Sequence, residues 1–206
     1  MIDNFLRPAD TGAQIIADAL RVLGVLSVAV ALIFHDVTDA AIVAFSLPGL
    51  MLPRFIGMRA WADITVSITL LVAAWSNVFD LYTPVWWWDI PVHFLLAGEL
   101  AVVAYLFLAR FGIVTRPAES GFTTAGAVVL TTAFGLALGA LWEMVEWFGY
   151  VFLTDDIHVT YQDTIGDMAA GGLGALCAGW LLARGPDSVV PRHRQLTAPS
   201  DSTCGS

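Results

Sequence analysis

Six apolar runs divide this chain, at approximately Ile15–Phe34, Ala40–Leu52, Ala62–Phe79, Ile90–Ala109, Phe122–Trp147 and Thr164–Ala183. A hydrocarbon core about 30 Å thick needs roughly 20 apolar residues per helix, and somewhat fewer where a segment is short or re-entrant. The spacing therefore predicts an all-α polytopic membrane bundle of about six transmembrane helices. The second run is the shortest and contains Pro48, so its ends are the least defined by pattern. A hydrophobic fraction of 58%, a charged fraction of 13% and a mean hydropathy of +0.76 agree with a chain that folds in lipid.

The charges give the bundle a direction. All nine basic residues are arginines: Arg7, Arg21, Arg54, Arg59, Arg110, Arg116, Arg184, Arg192 and Arg194. They lie on one predicted side, around the start of the first run, in the connections after the second and fourth runs, or in the tail. Basic residues in short connections stay cytoplasmic, so both termini are expected in the cytoplasm. The opposite connections, His35–Asp39, Asp80–Asp89 and Phe148–Asp163, contain no Arg or Lys. Around them Trp86, Trp87, Trp88 and Tyr82, with Trp147, Tyr150 and Tyr161, form the aromatic belt expected at headgroup depth.

Residues 1–184 read as a single transmembrane domain and residues 185–206, rich in Pro, Ser and Thr, as a disordered cytoplasmic tail. Met1–Pro8 carries no cluster of positive charge and no Ala-x-Ala site follows the first run, so no removable signal peptide is expected. Cys177 falls inside the last run and Cys204 in the tail, a placement that suggests neither a disulfide nor a thiolate metal site. A net charge of −9 argues against nucleic acid as a partner. Membrane lipids are the expected partners, and the oligomeric state stays open.

Polar residues then enter the runs in pairs. Asp89 and His93 are four apart at the start of the fourth run, with Pro91 in the first turn, where its missing N–H costs nothing. Glu143 and Glu146 are three apart near the end of the fifth, on a face that Gly135 and Gly139 continue. Asp163 and Asp167 open the sixth, on a face continued by Ala170 or Gly171, Gly174 and Ala178. Ala97 and Ala101 extend the His93 face in the same way. Small residues at this spacing mark close helix–helix packing, so the acids are expected to point into the bundle rather than into lipid. Asp89 and Asp163 also suit helix N-caps, and His93 a buried hydrogen-bonded role.

If these faces converge, Asp89, His93, Glu143, Glu146, Asp163 and Asp167 line one outer pocket, with Asp80, Asp155, Asp156 and His158 in or beside the neighbouring loops. Several carboxylates in a low-dielectric site cannot all stay ionised without compensation. With no Arg or Lys on that side, the cluster holds a cation, shares protons, or spreads its charge over helix-start N–H groups and His93. Oxygen ligands with an imidazole suit a divalent metal, Zn²⁺, Mg²⁺, Mn²⁺ or Ca²⁺. Glu99 is separate, near mid-depth on another face of the fourth run, as a protonated structural acid or a step in an ion path.

The segments Trp-Asp-Ile-Pro-Val-His-Phe at 88–94, Leu-Trp-Glu-Met-Val-Glu-Trp at 141–147 and Tyr-Gln-Asp-Thr-Ile-Gly-Asp-Met at 161–168 resemble the YjdF-like family of bacterial inner-membrane proteins. The likeness spans roughly Trp61 to Trp180. The succession of Asp-x-x-x-His, a Glu pair and a later Asp pair is also distantly similar to VanZ-like proteins, where the second glutamate position tends to be Gln and the last aspartate Asn. The resemblance implies a multi-pass protein of the bacterial cytoplasmic membrane with these polar residues grouped. It implies no particular reaction.

Three functions fit these residues. In a metal-dependent hydrolase or transferase acting on a lipid-linked or envelope substrate at the outer face, Asp89, His93, Glu143 and Asp167 would hold metal, and Glu146 or Asp163 would serve as general base. In a cation- or proton-coupled transporter the same acids bind the cargo and Glu99 relays it, although no inverted repeat is visible. In a membrane binding or sensor protein the acidic vestibule recognises a basic ligand or orders the bundle. No HxxxH box series, no Gly-x-Ser-x nucleophile motif and no outer Arg/Lys clamp for phosphate is present.

Overall fold

The computed structural model describes residues 1–117, 119–154, 157, 159–185 and 189. Asp155, Asp156, His158 and nearly all of the expected tail lie outside the described residues. Among those described, seven helices follow one another: α1 (Ile2–Leu6), α2 (Gly12–Phe34), α3 (Val37–Ile56), α4 (Ala60–Val78), α5 (Asp89–Arg110), α6 (Thr124–Phe152) and α7 (Tyr161–Arg184). Six of them, α2 to α7, are long and apolar enough to cross a membrane. The additional helix, α1, has five residues and lies across the end of α3, where Phe5 stacks on Phe55 with ring centroids 4.3 Å apart.

Local chemistry explains where the helices begin and end. Thr11, Asp36, Thr123 and Thr160 each accept a hydrogen bond from the backbone N–H three residues on, satisfying donors that have no partner within the helix. The Asp36 cap leaves only His35 and Asp36 between α2 and α3, so Asp39 belongs to the first turn of α3 rather than to the connection the pattern suggested. Helix α3 also runs past the expected boundary at Leu52. Pro48 and Pro53 both lie inside it, and it ends at Gly57, whose φ of +83° places its N–H on the Pro53 and Arg54 carbonyls. Likewise α6 continues to Phe152, so the last outer connection is shorter than Phe148–Asp163. At 29 residues α6 is about 43 Å long.

The helices form two halves. Helices α2, α3 and α4 pack on one another, as do α5, α6 and α7, and the halves meet where α5 lies against α3 and α4. Glycine sets the tightest seam of the second half. A side chain at Gly174 would overlap the carbonyl of Phe94, and one at Gly98 would come within 2.8 Å of the Gly174 carbonyl, so only bare backbone lets α5 and α7 approach this closely. Gly135 lies against Ala175, and Gly171 against Ala97. Gly139 departs from the expected stripe, with open space where its side chain would be.

The described residues before α2 and after α7 meet the connection between α3 and α4 at one pole. Asn4 donates to the Phe55 carbonyl at 3.2 Å, and the Arg59 N–H donates to Val189. Arg21, counted with the arginines that mark the start of the first run, is buried well inside α2. At the opposite, acidic pole Trp86 and Trp87 are exposed, as an aromatic belt requires. Trp88 is not part of that outward set, because its indole turns in to donate to Ser76 Oγ at 2.9 Å.

Candidate functional site

The acidic pole is organised by the connection between α4 and α5. Helix α4 ends in a left-handed residue, Asp80 with φ of +50°, which lets the Leu81 N–H return to the Ser76 carbonyl at 2.8 Å and the Asp80 N–H to Asn77 at 2.9 Å. Asp80 then accepts the Thr83 hydroxyl at 2.7 Å, and the Tyr82 hydroxyl donates to the Ala73 carbonyl at 3.1 Å. Together with Trp88 on Ser76, these bonds fold the connection back over α4 and bring Tyr82 beside Asp89. Burial, and after it the negative charge of Asp89, push the Tyr82 phenol up from its ordinary value. Asp80 itself serves this turn.

Asp89 is the first residue of α5, and no side chain caps that helix. Its carboxylate reaches along the helix instead, with Oδ1 3.2 Å from His93 Nε2. Asp163 is not a cap either. The cap of α7 is Thr160, whose hydroxyl accepts from the Asp163 N–H at 3.3 Å. One turn deeper, Asp167 is 3% exposed and faces the Asp89–His93 pair across the α5/α7 seam. Asp89, His93 and Asp167 each offer an atom within 4.8 Å of the others. The glycines make this approach possible, because Gly171 and Gly174 are the next turns of the face that carries Asp167.

The six residues expected to share a pocket divide between two neighbouring places. Asp89, His93 and Glu146 line a cavity of about 290 Å³ between the halves, together with Tyr82, Asn77 and Ser46. Glu143, Asp163 and Asp167 are not among its lining residues. Glu143 is buried beside Thr164 of α7, and its Oε1 has no hydrogen-bond partner. Electrostatically the six remain one group: Asp167 feels His93, Asp89, Asp163 and Glu143, while Glu146 feels Glu143, His93 and Asp89.

Away from these acids the cavity is apolar. It descends along α5 through Val92 and Leu96 to Leu100, about 16 Å from Asp89, with Leu70 of α4 and Leu138 of α6 opposite. Its side reaches the outer surface of the bundle. Phe45 of α3 and Trp142 of α6 stand with ring centroids 5.9 Å apart across the gap between the halves, and the lining residues Phe45 and Leu141 are 59% and 57% exposed. Gly139 lines this cavity, which accounts for the open space at its α-carbon.

Two carboxylates and an imidazole form a ligand set suited to Zn²⁺ or Mn²⁺. Ligand atoms about 2.0–2.2 Å from one ion stand closer together than the 4.8 Å limit, so a small contraction of the three side chains would complete the arrangement. Nε2 of His93 would exchange its bond to Asp89 for the ion. Glu99 takes no part. It lies against Thr65 and Thr69 of α4, with a buried Oε2 that has no partner, and is absent from the cavity wall.

Sequence reasoning missed a second polar group, at the arginine pole. Arg21 donates to the Leu50 carbonyl at 3.1 Å and to Asp18 at 2.8 Å, and pairs closely with Asp63 of α4. Arg54 stands 3.6 Å from Asp18. The signal was present: Arg21 and Asp63 are charges inside apolar runs, and such charges are stable only when paired.

The family described as a predicted membrane protein, DUF2238, matches residues 15–187. The chain belongs to this family. The DUF2238 match covers the six long helices, apart from the first three residues of α2, and every acid of the cluster, and it leaves out α1. No curated protein and no solved structure matches the chain.

Proposed function

We propose that this DUF2238 protein is a metal-dependent hydrolase or transferase of the bacterial cytoplasmic membrane, acting on a lipid-linked substrate at the outer face. The observation that carries this reading is the junction of two features: Asp89 and His93 of the candidate metal cluster stand at the polar end of an apolar cavity whose side opens to lipid. A water-soluble cargo has no use for such a wall, whereas an acyl or isoprenoid chain fits it and places its polar end among the acids.

In this reading Asp89, His93 and Asp167 hold a divalent ion, with Glu143 as a further ligand from α6. The ion supplies Lewis acidity, which lowers the pKa of water towards about 7. Glu146, on the cavity wall, takes the proton from the attacking water or acceptor and returns it to the leaving oxygen. Asp163 supports Asp167 from the turn before. The isolation of Glu99 from the cavity favours a one-sided site over a path through the membrane.

Metal analysis of the purified protein tests the proposal. About one divalent ion per chain is expected, lost in Asp167→Asn and His93→Ala, with lipid-linked turnover lost in Glu146→Gln while the metal stays. A folded protein that takes up no divalent metal would overturn it.

A further inference from the structure

A second cleft, of about 480 Å³, opens at the arginine pole between α1, α2 and α3. Its polar wall is Arg7, Asp18, Arg21 and Arg54, and its apolar wall continues along α2 through Val22, Val25 and Leu26. Each nitrogen of Arg21 already donates, to the Leu50 carbonyl, Asp18 and Asp63 in turn. Arg54 does not. It is 7% exposed, its Nη2 is shared between Asp18 and the Arg7 carbonyl, and its Nε is buried without a hydrogen-bond partner. Arg7 is exposed and has no carboxylate within ion-pair distance among the described residues. Three arginines against Asp18 and Asp63 leave one positive charge in excess.

We infer that this cleft binds the phosphate of an anionic phospholipid from the leaflet at the arginine pole. A phosphodiester carries one negative charge, which cancels the excess, and its oxygens accept readily from guanidinium groups. Arg7 offers its fork directly, and a small turn of the Arg54 guanidinium presents its idle Nε–H from the cleft floor. The lipid, rather than a soluble phosphate, follows from the wall beside it. Val22, Val25 and Leu26 are 58%, 50% and 56% exposed on the side of α2 that no other helix covers, and they lead from the charges towards the membrane interior, where an acyl chain lies. Basic pockets on the positively charged side of membrane proteins meet anionic headgroups by the same chemistry.

The test is native mass spectrometry of the full chain released from mixed micelles holding equal amounts of phosphatidylglycerol and phosphatidylcholine. Phosphatidylglycerol is expected to be retained with roughly tenfold preference, because phosphatidylcholine offers the same phosphate oxygens but brings a quaternary ammonium that restores the positive excess. In Arg7→Gln, an exposed position where thermal melting should show the fold unchanged, the preference should fall towards unity. Arg54→Lys, which keeps the charge and removes Nε, should reduce it partially. Equal retention of both lipids by the native chain, or an unchanged preference in both variants, would overturn the inference. Displacement of the lipid by millimolar glycerol phosphate would also overturn it, by assigning the cleft to a soluble anion.

Discussion

The two poles of this bundle handle buried charge in opposite ways. At the arginine pole, Arg21 and Arg54 meet Asp18 and Asp63 in a connected network that joins α2, α3 and α4. At the acidic pole, Asp89, Glu143, Glu146, Asp163 and Asp167 form one electrostatic group with the His93 imidazole, and no arginine among the described residues forms an ion pair with the cluster. Paired charges of this kind fasten helices together and are costly to break in half. A cluster of one sign gains from whatever cation or proton arrives, so it suits binding and chemistry.

Removing one partner of the paired charges at the arginine pole should have the largest effect. Asp63→Ala leaves the buried Arg21 with only the partly exposed Asp18 as counter-charge and is expected to cost about 3 kcal/mol. Thermal unfolding in detergent measures this, and the double variant Arg21→Met/Asp63→Leu should recover most of the loss. At the acidic pole the sign reverses. Asp167→Asn removes repulsion and should not lower the stability of the metal-free protein, whereas zinc at a hundredfold excess over its dissociation constant should stabilise the native chain by about 2.7 kcal/mol and the variant hardly at all. A native melting curve indifferent to zinc, manganese and magnesium would remove the contrast.

Two smaller tests separate the seam from the cavity. Gly174→Ala must push α5 and α7 apart and should cost about 1–3 kcal/mol, while Gly139→Ala faces open space and should be neutral or slightly stabilising. Paired unfolding curves decide this. Tyr82→Phe should cost roughly 1 kcal/mol by removing the bond to Ala73. Because the folded protein holds the Tyr82 proton more tightly than the unfolded chain does, that contribution is fully present below about pH 10 and declines as pH rises above it. The alkaline decline in native stability should be weaker in the phenylalanine variant.

Much of this arrangement was legible in the chain because membrane helices carry their constraints locally. Apolar length marked α2 to α7, and the small residues at Gly135, Gly171 and Gly174 marked the seams that bring Asp89, His93 and Asp167 together. What escaped depends on partners distant in sequence. Pro48 and Pro53 look like helix breakers, yet α3 continues through both to the left-handed stop at Gly57. Arg21 read as a marker of sidedness because its partner, Asp63, is 42 residues away. Gly139 shares the spacing of Gly135 but faces a cavity, since spacing fixes the face of a helix and not what stands opposite it. Trp88 belongs to an aromatic triplet, and only the turn at Asp80 shows that it points inward.

The division into halves has a consequence for biogenesis. Helices α2, α3 and α4 are consecutive and complete their charge network among themselves, so they can associate as soon as α4 leaves the insertion machinery, before α5 is made. The acidic cluster follows a different schedule, because Asp167 is supplied by the last helix and reaches His93 only when α7 seats against α5. A ribosome must therefore finish α7 before Asp167 can meet His93 at all.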